Sequence, residues 1–237
     1  FRMYVDLGEV PADDNHRVRQ TPLETVIAKA NEIIAPYYVD VKYVAWHSIY
    51  EVGHRLVDGF DDLNEGDAED ACPRVFLTGD ACHTHSAKAG QGMNVSMQDG
   101  FNIGWKLGHV LSGRAPESLL RTYHDERHPA AANLIAFDKE WSTLMATPAD
   151  QLEDPEAVEK YYVAAEEFAA GFLTECKDNL ITAGTEHQAL ATGFPVGRRF
   201  KSEIALRRCD AVTTHIGHEH SADGRWRIYA FADQATP

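Results

Sequence analysis

Basic side chains are scarce in this sequence. It has 22 lysines and arginines against 37 acids, a formal net charge of −15 with histidine neutral. A field of that sign repels phosphate backbones and argues against general nucleic-acid binding. Long apolar runs are missing too: no stretch approaches the roughly 18 uninterrupted apolar residues of a membrane-spanning helix. The first residues carry no basic-then-apolar targeting pattern. Cysteine is rare, and Cys72, Cys82, Cys176 and Cys209 form no CxxC pair and no disulfide framework. A reducing, cytoplasmic setting is therefore expected.

What is present is ordinary globular composition: 237 residues, 44% apolar and 25% charged. Residues 1–7 alternate as a strand, and 226–231 are strand-like a few residues before the chain stops. Strands need neighbours, so the sequence is expected to be an internal piece of a longer protein. Thr21 and Pro22 open a helix through Ala35, with Pro22 at its first position and Val26, Ile27, Ala30, Ile33 and Ile34 on its apolar side. Residues 39–57 read as one or two strands, 58–71 (seven acids, no base) as a solvated loop, and 74–79 as a short apolar strand. A long loop over 80–93 precedes a helix to about Leu111 that Ser112 and Gly113 stop. Pro116 opens another helix, which Pro129 is expected to kink or split. Leu134, Phe137, Trp141, Leu144 and Met145 share one face of it. Residues 148–190 hold ten acids against two bases and read as a helical, solvated connection. The composition changes near 190, where a domain boundary is expected.

The chemistry concentrates between Arg74 and Leu111. A buried strand would deliver Gly79 and Asp80 to a sheet edge, where a carboxylate can accept hydrogen bonds from ligand hydroxyls. Without a Cβ, Gly79 would let a ligand approach its backbone. Gly90, Gln91 and Gly92 can present amides, and the helix starting near Met93 aims free N–H groups and its positive dipole end at the same place. Together they would hold a polyol and an electron-rich, anionic group. Gly100, Gly104 and Gly108 recur every fourth residue and suggest a helix lying hard against another element, with or without a ligand. Asp99, Asn102, Lys106 and His109 on the same helix exclude a transmembrane packing stripe.

The run GDACHTHSAKAGQGMN over 79–94 resembles the second flavin-binding motif of FAD-dependent aromatic hydroxylases, most closely the phenol 2-monooxygenase and 3-hydroxybenzoate 4-monooxygenase group. The likeness continues through Gly104 to Leu107, Gly113 to Ala115, Tyr123, Glu126 and Arg127. Ala87 stands where the family has proline. The resemblance implies FAD, with Asp80 on its ribityl chain and Gly90, Gln91, Gly92, Met93 and Asn94 against its ring. Arg2 and Tyr4 fit an Arg-x-Tyr-Val pattern whose tyrosine hydroxyl meets the substrate's phenolic oxygen, making them the candidate catalytic pair. Trp46 and Tyr50 lie on the strand that the family sets beside the substrate and read as core aromatics. Residues 197–202 resemble the start of the family's thioredoxin-like domain. The implied fold is α/β (α+β in detail): residues 1–190 as the later part of an FAD-hydroxylase domain, and 191–237 as the first strands of a thioredoxin-like domain. The implied reaction hydroxylates a phenol with O2 and NAD(P)H, in a homodimer when full length.

The same resemblance exposes a gap. The GxGxxG phosphate loop that opens such FAD domains is not in this sequence, so the chain would supply half a flavin site and be inactive alone. His83 with His85, and His215 with His218 and His220, lack partners at zinc spacings, and no metal is expected. Cys82 reads as a small packing residue. Two alternatives stay open: another flavin oxidoreductase on this scaffold, such as a polyketide hydroxylase or a dehydrogenase, and a non-catalytic binding or dimerisation module.

Overall fold

The computed structural model describes residues 1–231 except 12, 65, 148–150, 153 and 155. Helices and strands are mixed, as expected of an α/β chain, and they form two compact units, 1–53 and 54–237.

In the first unit, a 3-10 turn over Arg17–Gln20 leads to α1, Leu23–Ile33. Pro22 is the N-cap of α1 rather than its first residue, and the helix stops two residues short of Ala35. His16 and Arg19 both donate to Glu51, whose carboxyl sits below its usual range although desolvation opposes this. Residues 1–7 and 39–53 form no strand. A ladder needs a partner backbone, and here single contacts serve instead: the Asn31 amide exchanges two hydrogen bonds with Val39 at 2.8 and 3.2 Å. Without a ladder there is no inner face, so Trp46 and Tyr50 are exposed rather than core.

The second unit opens with β1, Arg55–Leu56, antiparallel to β2, His83–Thr84, with Leu56 opposite His83. The expected strand over 74–79 shrinks to one bridge between Asp61 and Phe76, beside a bond from the Leu77 N–H to the Phe60 carbonyl. Next come α2, Gly92–Leu111, a 3-10 turn over Glu117–Arg121, and α3, Thr122–Ala146. The α3 helix runs unbroken through Pro129, so the expected split does not occur. The core gathers Phe60, Cys82, Ile103, Leu120, Tyr123 and Ala131, flanked by Val57, Phe76 and Leu107.

Within the acidic stretch, α4 (Ala157–Ala164) and α5 (Glu166–Ala169) are helical, and residues 170–190 are mainly turns. Residues 148–150, 153 and 155 of that expected connection lie outside the described residues. A hairpin of β3, Ile204–Arg207, and β4, Val212–His215, follows. Residues 226–231 form no strand and instead stack aromatic rings, Tyr229 on Phe200 and Phe231 on Phe194. Among the described residues, no helix is long and apolar enough to cross a membrane.

Candidate flavin-binding site

A loop-to-helix unit brings the expected cofactor residues together. Gly79 and Asp80 begin a short 3-10 turn, Gly79–Ala81, packed on the first turns of α2. Gly79 is buried at φ +61°, and a Cβ there would meet Ser96 at 3.1 Å. Its lack of a side chain thus serves close packing on α2. Asp80 is exposed and makes no hydrogen bond or ion pair among the described residues.

Gly90 has φ +66°, and a Cβ there would meet nothing within 4 Å. Gln91 is the N-cap of α2 but its side chain makes no capping bond, its Oε1 accepting instead from Asn94 Nδ2 at 3.4 Å, while the Val95 N–H bonds the Gln91 carbonyl. The amides of Gly92, Met93 and Asn94 find no acceptor among the described residues, leaving three donors at the positive end of a 20-residue helix. Met93 is exposed, and Gln91, Gly92 and Asn94 are half-buried. Gly92 has a local constraint as well: its Cβ would lie 2.6 Å from the His85 ring. An exposed carboxylate acceptor on a turn packed against α2, with free amide donors at the start of that helix, suits a polyol and an electron-rich edge. Arg2 and Tyr4 belong to the first unit, where the Arg2 guanidinium donates to the exposed Tyr4 hydroxyl at 3.3 Å.

Three buried polar clusters support this surface, and sequence reasoning assigned none of them. Asp99 of α2 is fully buried and accepts from Gly79 N–H (3.2 Å), His83 Nε2 (2.8 Å) and Arg127 Nε (2.7 Å). Burial pushes its carboxyl up, but the His83 and Arg127 hydrogen bonds and the Arg127 charge together hold it below the usual range. His83 donates from Nε2, leaving Nδ1 buried with no hydrogen-bond partner among the described residues. Cys82 stands beside both, its thiol pushed up to about 12 by burial and by Asp99. Ligand atoms of Cys82, His83 and Asp99 lie within 4.8 Å of one another. The Asp99 carboxylate of this trio is already paired with the Arg127 cation at 2.7 Å.

Lys106, also fully buried, donates to Glu126 at 2.8 Å, and Asn102 donates to the same carboxylate at 2.6 Å. Desolvation holds the Lys106 ammonium below its ordinary range, with Glu126 opposing. The third cluster surrounds Asp138 of α3. Its signal in the sequence was a charge at a core-facing position of α3, four residues past Leu134 and three before Trp141.

A loop and helix start with free donors, beside a buried polar support, is thus the class of site defined here. The FAD binding domain model matches residues 2–138, and the chain belongs to that family. A second model, the phenol hydroxylase C-terminal dimerisation domain, matches residues 174–237. The 3-hydroxybenzoate 4-monooxygenase of Comamonas testosteroni is 46% identical over 98% of this chain, and phenol 2-monooxygenase fsqG of Aspergillus fumigatus 36% identical over 97%. The chain covers 37% and 38% of those two proteins, little more than a third of each. Among solved structures it is similar to CabE, an aromatic hydroxylase from angucycline biosynthesis, with a TM-score of 0.57 and 27% identity over 82% of this chain and 36% of that one.

Proposed function

We propose that this chain carries the later part of the FAD- and substrate-binding domain of a flavoprotein monooxygenase that hydroxylates a phenol. The observation that carries the reading is the uncapped start of α2, with the exposed Asp80 on the turn packed against that helix, in a segment that matches the FAD-binding family. The donor set fits the cofactor. Asp80, together with the backbone at Gly79, would accept from ribityl hydroxyls. The 90–94 turn, with Gln91 at the cap and the amides of Gly92, Met93 and Asn94, would face the ring edge that becomes negative on reduction. Bound FAD supplies the redox chemistry that activates O2, with NAD(P)H as the electron source.

This chain's own residues orient and polarise. The Tyr4 hydroxyl, next to Arg2, would hydrogen-bond the phenolic oxygen and favour its phenolate character. Residues 1–190 would form the hydroxylase part and 191–237 the start of a thioredoxin-like domain. The match to a dimerisation model supports a homodimer, and the composition supports a cytoplasmic setting.

The test is product analysis on the full-length protein containing this chain, with a panel of phenols and with NADH and NADPH supplied separately. Ring hydroxylation with matching NAD(P)H consumption is expected. Oxidation without oxygen insertion would indicate another flavin oxidoreductase on the scaffold, and no turnover with tight self-association would indicate a dimerisation module. In the active protein, Tyr4→Phe removes a hydrogen bond worth about 1–3 kcal/mol. Hydroxylation should fall and peroxide should appear, whereas unchanged rate and coupling would make Tyr4 a bystander.

A further inference from the structure

We propose that Asp138 of α3 is a positioning residue for the 86–94 loop, and so for the flavin contacts that loop makes; the second clause rests on the function proposed above. Asp138 is fully buried. Its Oδ2 accepts the Ser86 backbone N–H at 2.6 Å and His54 Nε2 at 2.8 Å, while its Oδ1 accepts the Ser86 hydroxyl at 2.7 Å. One carboxylate thereby grips both the main chain and the side chain of a single loop residue 52 positions away in sequence.

The grip passes along the loop. Ser86 Oγ accepts the Lys88 N–H at 3.2 Å, and the Ala87 carbonyl accepts the Gly90 N–H at 3.2 Å, closing the turn that ends at the α2 cap. On the other side of Ser86, the His85 ring is bonded to the Ser86 carbonyl at 2.7 Å and lies where a Gly92 Cβ would be. The residues flanking Ser86 thus reach the turn before α2 and its first residue. A buried carboxylate is costly to desolvate, and apolar residues would fill the same space without that cost. Its hydrogen bonds fix one loop geometry, which apolar packing does not.

The test uses the flavin-loaded full-length protein containing this chain and three variants. Asp138→Ala should raise the FAD dissociation constant about tenfold or more, the equivalent of losing one hydrogen bond to a charged group. Asp138→Asn retains an acceptor for the Ser86 N–H without the charge and should recover part of the lost affinity. Leu134→Ala, one turn earlier at a buried apolar position of α3, should lower thermal stability without changing FAD affinity. An Asp138→Ala protein that binds FAD like wild type overturns the proposal. So does an equal affinity loss in Leu134→Ala, because affinity would then merely follow stability. Should Asp138→Ala fail to fold, Ser86→Ala removes the hydroxyl contact alone and should weaken FAD in the same direction; unchanged affinity in it also counts against the proposal.

Amide hydrogen exchange in the flavin-free protein separates this inference from the flavin reading. Asp138→Ala, or Ser86→Ala in its place, should speed exchange across 86–94, and Leu134→Ala should not. If the full-length protein containing this chain holds no FAD, the flavin reading fails while the exchange result still decides whether Asp138 positions the loop.

Discussion

At Gly92 two demands fall on one residue. A Cβ there would lie 2.6 Å from the His85 ring, and the same residue supplies the first free amide of α2. A valine would displace His85 and crowd whatever approaches the helix start. A helix N-terminus stabilises an adjacent anion by about 0.3–2 kcal/mol. For a two-electron couple 30 mV corresponds to about 1.4 kcal/mol, so losing that term shifts a potential by about 5–40 mV. Reduced flavin is the more negative form. Gly92→Val should therefore lower the potential of bound flavin by that amount, weaken FAD, or both. Potentiometry and FAD titration check this, and a variant matching wild type in both would leave the glycine explained by His85 alone. The run over 79–94 made this residue legible, because glycines at a helix start carry a local meaning. Gly79 was legible only in part: its occupant, Ser96, comes from α2 and leaves no mark in the neighbouring sequence.

Among the elements, α2 shows how far periodicity reaches. Its span was readable from the glycines before it and Ser112 and Gly113 after it, yet its buried side was not. Asp99, Ile103 and Lys106 face inward, while Met93, Met97 and Phe101 are exposed. Charges usually mark the solvated face of a helix. Here Glu126 and Arg127 of α3 complement them, and that pairing is tertiary. The glycine stripe failed for a related reason: a Cβ at Gly100, Gly104 or Gly108 would meet nothing within 4 Å in this chain. The expected strands failed because period-two alternation specifies a face but supplies no partner.

The α3 helix adds a pH dependence of its own. Burial, and next the proximity of His124, lower the His128 pKa from its ordinary 6.5. His128 packs edge-on against Phe60 and donates to the Val57 carbonyl at 3.1 Å. Below about pH 6.5 the unfolded chain binds a proton that the folded chain resists, so stability is full above that pH and falls as pH drops toward the lower folded value. His128→Gln keeps a donor without the titration. Its urea midpoint should change less than that of wild type between about pH 7.5 and about pH 5. Equal acid loss in both proteins would assign the dependence to other groups.

For the whole chain, the decisive quantity is how much of a cofactor its groups can reach. Asp80 and the amides of Gly92 to Asn94 offer contacts for a polyol and a ring edge. Nothing in the 237 residues matches the glycine-rich phosphate loop, and the net charge of −15 works against holding a pyrophosphate elsewhere. In relatives nearly three times its length, this chain corresponds to 37% of the protein. Each hydrogen bond to a charged group contributes about 1.5–3 kcal/mol, so two missing phosphate contacts alone raise a dissociation constant about 10²–10⁴-fold. The 237-residue chain by itself should therefore bind FAD weakly, with less than stoichiometric flavin after gel filtration. Circular dichroism must first show the helical content of α2 and α3, because an unfolded chain would also lack flavin. A folded chain that retains one FAD per molecule would mean that the loop and helix described here, without a phosphate loop, suffice to hold the cofactor.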